Sequence, residues 1–345
     1  MPSRARCGRW RARSCGALID PVRARGLDLL PAGAWSCING DALAGKTMFL
    51  TGATGFVGRW LLAAIERLNG KLAAPMAVRA LTRGERPVEA PWLTWIDGDV
   101  RAFTDSAPAD LVLHAALSSS ATLPGADAAL IDTAVRGMNA ARRHVSACGA
   151  RRLIVLSSGS VYGTAYGVLS EDSPLAELAA EDSYAFAKRE VEAVSRAASA
   201  DAGLDVVVAR LFTCIGHGYR RHGHLAHVSM IDDVRAGKPI VLRSDGSAVR
   251  SYIFGADLAV WLLAIASSKG SAVVNVGSDA AISMLAFART MARLAGRSPD
   301  AVVVRATDPV IRPFFVPDIA RARSLYGVAP WTGVEAAIAQ MLASG

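Results

Sequence analysis

Tyr184 and Lys188 stand four residues apart in the segment SYAFAKRE. On a helix, positions four apart share one face. The Lys188 ammonium then sits near the Tyr184 phenol and favours its phenolate. A free phenol has a pKa of about 10, and a nearby positive charge lowers it. Such a phenolate takes a proton from a substrate hydroxyl, while a nicotinamide beside it takes the hydride. The place for that cofactor lies upstream, in TGATGFVG (Thr51 to Gly58). KTMFL ahead of this loop reads as a strand, and RWLLAAIERL behind it has apolar residues at helical spacing. Gly52 permits the tight turn, Gly55 lets the backbone approach a pyrophosphate, and Gly58 allows close helix–strand packing. The helix start offers free N–H groups and a positive dipole end to the phosphates.

The motifs that position these residues run in a recognisable order. TGATGFVG is followed by GDV at Gly98 to Val100, HAAL at His114 to Leu117 and LSSGSVYG at Leu156 to Gly163. Then come Tyr184 and Lys188, RLFTCIG at Arg210 to Gly216, RSYIFGADL at Arg250 to Leu258 and VNVGS at Val274 to Ser278. With these motifs the chain resembles the extended short-chain dehydrogenase/reductases, in their nucleotide-sugar epimerase/dehydratase branch. The resemblance covers about residues 46 to 343.

The resemblance implies roles residue by residue. Ser158 would be the third catalytic residue, hydrogen-bonding the reacting substrate oxygen, and Lys188 would also hold the nicotinamide ribose. Gly52, Thr54, Gly55, Phe56, Val57 and Gly58 would form the dinucleotide loop. Asp99, with Val100 beside it, would contact the adenine, and Ala115 and Ala116 would let the dinucleotide lie against the fourth strand. Thr213, where the family has Asn, and Arg250 would hold the substrate, Arg250 at its diphosphate. Tyr162 is expected only to pack. The family's dehydratases carry Asp and Glu where this chain has Gly159 and Ser160, and its decarboxylases keep the Glu. Elimination needs proton-carrying groups there, so the substitution favours an epimerase, with a keto-sugar reductase or a 4,6-dehydratase as alternatives. A non-catalytic dinucleotide sensor is a remote reading, because such relatives typically lose the Tyr/Lys pair.

Cofactor choice turns on the end of the second strand. An acidic residue there would favour NAD. This chain has Thr82 and Arg83 instead, and Arg83 leans toward the 2′-phosphate of NADP. NAD or NADP is therefore expected, with a nucleoside-diphosphate sugar as partner. Homodimerisation through the helices near 127–148 and 182–200 is a further implication of the family.

Alternating strand and helix patterns predict a doubly wound parallel sheet, Rossmann-like, in the α/β class. Strands are expected at 76–83, 92–97, 111–117, 152–158 and 206–212, with a long helix over 127–148. Residues 46–212 would form the dinucleotide domain. Residues 213–345 would be mostly a smaller C-terminal substrate-binding lobe, some of it returning to the main sheet. AVWLLAIA (Ala259 to Ala266) is too short to span a membrane and reads as a buried helix.

The net charge of +8 does not point to nucleic acid. Residues 1–40 hold seven Arg and two Asp, a net +5, which leaves only +3 for the rest. This stretch also holds three of the five cysteines and lacks the apolar core of a secretory signal. It is expected to be a disordered basic extension or a misplaced start, an organelle-targeting segment being the other reading. Cys148 and Cys214 have no metal-ligand spacing, so a reducing cytoplasm is the default. His217, His222, His224 and His227 cluster after RLFTCIG without a Cys or carboxylate among them. No metal site is expected from them.

Overall fold

The computed structural model describes residues 20–117, 126–179, 182–200, 203–219, 225–306 and 313–343. Its strands are β1 (Thr47–Thr51), β2 (Ala77–Thr82), β3 (Leu93–Asp97), β4 (Leu111–His114), β5 (Arg152–Ser158), β6 (Gly167–Leu169), β7 (Asp205–Leu211) and β8 (Cys214–Ile215). They continue as β9 (Ile240–Leu242), β10 (Val249–Arg250), β11 (Ile253–Phe254), β12 (Ala272–Val276), β13 (Ile282–Ser283), β14 (Val302–Val304) and β15 (Phe314–Pro317). The helices are α1 (Pro21–Asp28), α2 (Gly40–Leu43), α3 (Phe56–Asn69), α4 (Ala126–Cys148) and α5 (Ser183–Ala198). After them come α6 (Ala226–Arg235), α7 (Gly255–Ser267), α8 (Met284–Leu294), α9 (Ala320–Tyr326) and α10 (Val334–Leu342).

Seven parallel strands form the central sheet in the order β12-β7-β5-β4-β1-β2-β3. The chain moves outward from β1 to β3, then returns to build the other half from β4. That reversal is the topological switch point, where α/β sheets bind ligands at their carboxyl ends. The inner strands are buried along their length, as strands covered on both faces must be. One core cluster joins α3 and α7 to one face, and a second joins α4 and α5 to the other. Every residue of α7 is buried, as its apolar sequence foretold.

The substrate side is built from short pieces. A four-stranded sheet runs β13-β10-β15-β6, and two pairs, β11 with β8 and β14 with β9, complete it. AVVNV, in the C-terminal part of the chain, is β12 at the edge of the main sheet. Alternation alone cannot tell which sheet a short apolar run will join.

The expected extension is corrected from Asp20 onward. Residues 20–44 fold onto the domain as α1, a 3₁₀ turn and α2, and bury Leu27, Leu30, Ala34, Ile38 and Leu43. Asp20 caps α1 by accepting from the Val22 N–H, and Pro21 starts the helix. The arginine count masked these apolar residues, which are spread over α1, the 3₁₀ turn, α2 and the links between them. Residues 1–19, like His222 and His224, lie outside the described residues.

Candidate active site

The glycine loop connects β1 to α3 and lies against the end of β4. Gly52 has φ +76°, and a Cβ there would come within 2.7 Å of the Ala115 backbone. A Cβ on Gly58 would come within 2.6 Å of Gly52 and Ala53 backbone atoms. Gly55 faces open space apart from the Gly52 carbonyl, and no side chain caps α3. The fold thus leaves a bare helix start beside Ala115 and Ala116, wide enough only for a backbone-hugging ligand. A dinucleotide pyrophosphate fits that cradle, with Thr54, Phe56 and Val57 on its rim.

Thr51 and His114 lock the two strand ends together. The Thr51 hydroxyl accepts from the Ala115 and Ala116 N–H groups (3.2 and 3.3 Å) and lies 3.0 Å from His114 Nδ1. Burial pushes the His114 pKa down to about 3, with the charge of Lys188 acting in the same direction. The imidazole is therefore neutral and accepts the Thr51 proton at Nδ1.

The residues expected at the adenine are charged and paired. Both oxygens of Asp99 are bound by Arg101, at 2.9 and 3.0 Å, and this holds its carboxyl well below the usual range. Arg83 is exposed at the end of β2, and its charge also reaches Asp99. Val100 packs instead against Gly137 on α4.

Ser158 ends β5, and Tyr184 and Lys188 share one face of α5, whose N-cap Asp182 accepts from the Ala185 N–H (3.1 Å). The three predicted catalytic residues are brought together. Ser158 hydrogen-bonds the Tyr184 phenol, and its Oγ accepts from the Ser160 N–H (3.1 Å). Lys188 Nζ lies 5.7 Å from the Tyr184 ring centre and donates to the Leu156 carbonyl at 2.6 Å.

The protonation pattern differs from the expected one. Loss of hydration raises the Tyr184 pKa to about 12, the Ser158 hydrogen bond acting in the opposite direction. Burial lowers Lys188 to about 8, while Glu192 works to keep its charge. In the protein alone the phenol therefore carries its proton at neutral pH. Lys188 points at a carbonyl, and the expected lowering of the phenol pKa by its charge is not seen.

Beneath the catalytic helix lies a polar network that sequence reading missed. Glu192 is 1% exposed and one turn beyond Lys188. It accepts from Ser157 Oγ (2.6 Å) and from Arg210 Nε and Nη2 (3.0 and 2.9 Å). Arg210 continues to the Tyr162 hydroxyl (3.1 Å), which donates to Asn275 Oδ1 (2.8 Å). Tyr162 thus links polar groups as well as packing. The signal was present, since Lys188 and Glu192 are also four apart.

Position 159 admits a side chain only if the Phe212 ring gives way. A Cβ there would meet the Phe212 ring at 3.0 Å. Thr213 follows Phe212, and its carbonyl accepts from the Ile253 N–H (3.0 Å), which joins β8 to β11; Arg250, on β10, donates to the Val249 carbonyl (2.8 Å). Cys214 and Tyr219 were not singled out from sequence, yet Cys214 acts on the ionisation of Tyr184, and Tyr184 acts on that of Tyr219. Of the histidines, His227 is buried between Tyr219 and Tyr252.

This loop, this cradle and this triad match a known pattern. The model of the NAD dependent epimerase/dehydratase family matches residues 48–277. The chain belongs to that family. Members of the family similar to it include the dTDP-4-dehydro-6-deoxy-D-allose reductase of Streptomyces bikiniensis. That enzyme is 27% identical over 319 residues, covering 86% of this chain and 96% of the relative. Among solved structures, MoeE5 in complex with UDP-glucuronic acid and NAD is 26% identical, with a TM-score of 0.70. The match covers 86% of this chain and 98% of MoeE5. The UDP-glucuronic acid 4-epimerase of Bacillus cereus shares the fold, with a TM-score of 0.74 at 20% identity over 86% of this chain and 98% of that one. The chain is thus an enzyme of the NAD dependent epimerase/dehydratase type. Among the described residues, no helix is long and apolar enough to cross a membrane.

Proposed function

We propose that the protein interconverts a secondary alcohol and a ketone on a nucleoside-diphosphate sugar, and that its net reaction is epimerisation at C4. The observation that carries this reading is the lack of a carboxylate at 159 and 160, with the Phe212 ring 3.0 Å from where a Cβ would stand at Gly159. Where the family's dehydratases have an acid this chain has Gly159, and Ser160 follows in place of the second carboxylate. What remains is chemistry that needs one proton carrier and one hydride carrier.

Nicotinamide chemistry at the bound cofactor supplies hydride removal from, and return to, the sugar carbon. The protein's own groups handle the proton. Ser158 holds the reacting oxygen against Tyr184. As a ketone gains hydride at carbon, the Tyr184 O–H bond breaks and the proton passes to the carbonyl oxygen. In the oxidising direction the alcohol proton returns to the phenolate. Lys188 holds the ribose of the dinucleotide, Arg250 pairs with the diphosphate of the substrate, and Thr213 donates to it.

A second reading, a keto-sugar reductase, is favoured by the Tyr184 pKa of about 12, because a protonated phenol is ready to donate. The similarity to the Streptomyces reductase supports it too. The lean toward NADP has only the position of Arg83 behind it, while the cofactor in MoeE5 is NAD. We take NAD as the cofactor, and a homodimer built on α4 and α5, where Phe186 is exposed. Light scattering on the purified protein checks the dimer.

Mass spectrometry after incubation with a panel of nucleotide sugars and either cofactor tests the reading. Epimerisation gives a product of unchanged mass and shifted retention. A gain of two hydrogens with reduced cofactor consumed establishes the reductase. Loss of water or carbon dioxide overturns both. Tyr184→Phe should lower turnover by about 10²–10⁴-fold, the usual share of acid–base catalysis, and undiminished turnover would rule out the mechanism.

A further inference from the structure

The segment ahead of β1 also reaches the active site. Arg23 on α1 is 3% exposed, a rare place for a guanidinium. Asp20 pairs with it, and the Trp60 ring centre lies 5.8 Å from its Cζ. Arg23 Nη2 donates to the His217 carbonyl (3.4 Å), and Trp60 Nε1 donates to the same oxygen (3.1 Å). Two donors from separate helices thus converge on one backbone atom of the loop after β8. His217 Nε2 is also 3.8 Å from Asp20 Oδ2. Gly216 and Gly218 have φ +148° and +101°, and a side chain at 218 would collide with the Arg23 guanidinium. The loop backbone is shaped to admit Arg23.

That loop borders both halves of the chemistry. Tyr219 stacks on Phe56 with ring centres 4.0 Å apart and planes 18° apart. It therefore lies over the first turn of α3, at the rim of the pyrophosphate cradle. Its hydroxyl donates to the Cys214 carbonyl (3.0 Å), and both residues adjoin Tyr184.

We propose that Arg23 is a positioning residue, through which the docked N-terminal segment holds the 214–219 loop over the dinucleotide and against Tyr184. The family match covers residues 48–277, so Asp20 and Arg23 lie outside it while Trp60 and the 214–219 loop lie inside. The inference rests on the family's dinucleotide site and not on which sugar reaction follows.

The test is the NAD dissociation constant, measured by calorimetry on the full chain, together with melting temperature. Arg23→Ala should weaken NAD binding by about tenfold, the scale of one charge-assisted hydrogen bond lost. Guanidinium ion in the buffer should restore most of the affinity by filling the vacated site. Arg23→Lys keeps the charge but not the fork, should fall between the two, and carries the test if Arg23→Ala does not fold. Arg67→Ala is the control. It breaks the pairing of Arg67 with Asp28, which also ties α1 down, far from the cradle. It should lower the melting temperature and leave NAD affinity unchanged. Wild-type affinity in the folded Arg23 variants overturns the proposal, as does equal weakening in the Arg67 variant. A wild-type protein that binds NAD but epimerises no sugar would sink the functional reading and leave this one standing.

Discussion

Replacing Glu192 by Gln keeps its shape and removes its charge, and the consequences can be worked from the geometry. The Gln carbonyl still accepts from Ser157 Oγ and Arg210 Nε. Its amide nitrogen, however, now faces Arg210 Nη2, a donor, across what was a 2.9 Å hydrogen bond. The guanidinium keeps the Tyr162 hydroxyl but loses its counter-charge in a site where both partners are nearly fully buried. Breaking a buried pair from one side costs about 3–5 kcal/mol, and the retained contacts place this variant near the lower figure, about 3 kcal/mol. A second effect reaches the catalytic lysine. Burial lowers the Lys188 pKa to about 8, and Glu192 is the partner that raises it. Without Glu192 the pKa falls further, so the ammonium is lost at a lower pH. Urea unfolding at neutral pH and the pH dependence of NAD binding read the two effects separately. Wild-type binding should decline as pH rises through about 8, and the decline should begin earlier in Glu192→Gln. Pairing Glu192→Leu with Arg210→Met should recover most of the stability lost from this pair, because neither of its two charges is left behind. A stability loss below about 1 kcal/mol with an unmoved pH limb would refute the reasoning.

Two further substitutions probe the cradle and the crowded corner. Gly52→Ala puts a Cβ 2.7 Å from the Ala115 backbone at φ +76° and should abolish NAD binding in calorimetry. Gly159→Ala forces the Phe212 ring to give way, and should lower stability by about 1–3 kcal/mol in urea unfolding, as overpacking does. Gly159→Asp should yield no dehydrated product by mass spectrometry; a product lighter by one water would show that the corner can open.

The sequence alone pointed to the parallel sheet, the glycine cradle and the Tyr184/Lys188 pair, through short-range periodicity and glycines whose conformation no other residue adopts easily; Ser158 came only from the family resemblance. Helical spacing was enough to put Tyr184 and Lys188 on one face. Tertiary structure decided what surrounds them. Lys188 turned toward the Leu156 carbonyl, and burial raised the phenol pKa that its charge was expected to lower. Position 159 was crowded by Phe212, a residue on a different strand connection. AVVNV joined the main sheet because β7 offered it an edge. The segment from Asp20 to Ala44 looked like a charged tail, since its local composition is dominated by arginine. It becomes part of the fold only because Gly26 and Gly255 leave room for Trp60 between α1 and α7. Desolvation and packing depend on residues brought together from distant parts of the chain, 32 positions for Lys188 and Leu156 and 194 for Arg23 and His217, which local periodicity does not reveal.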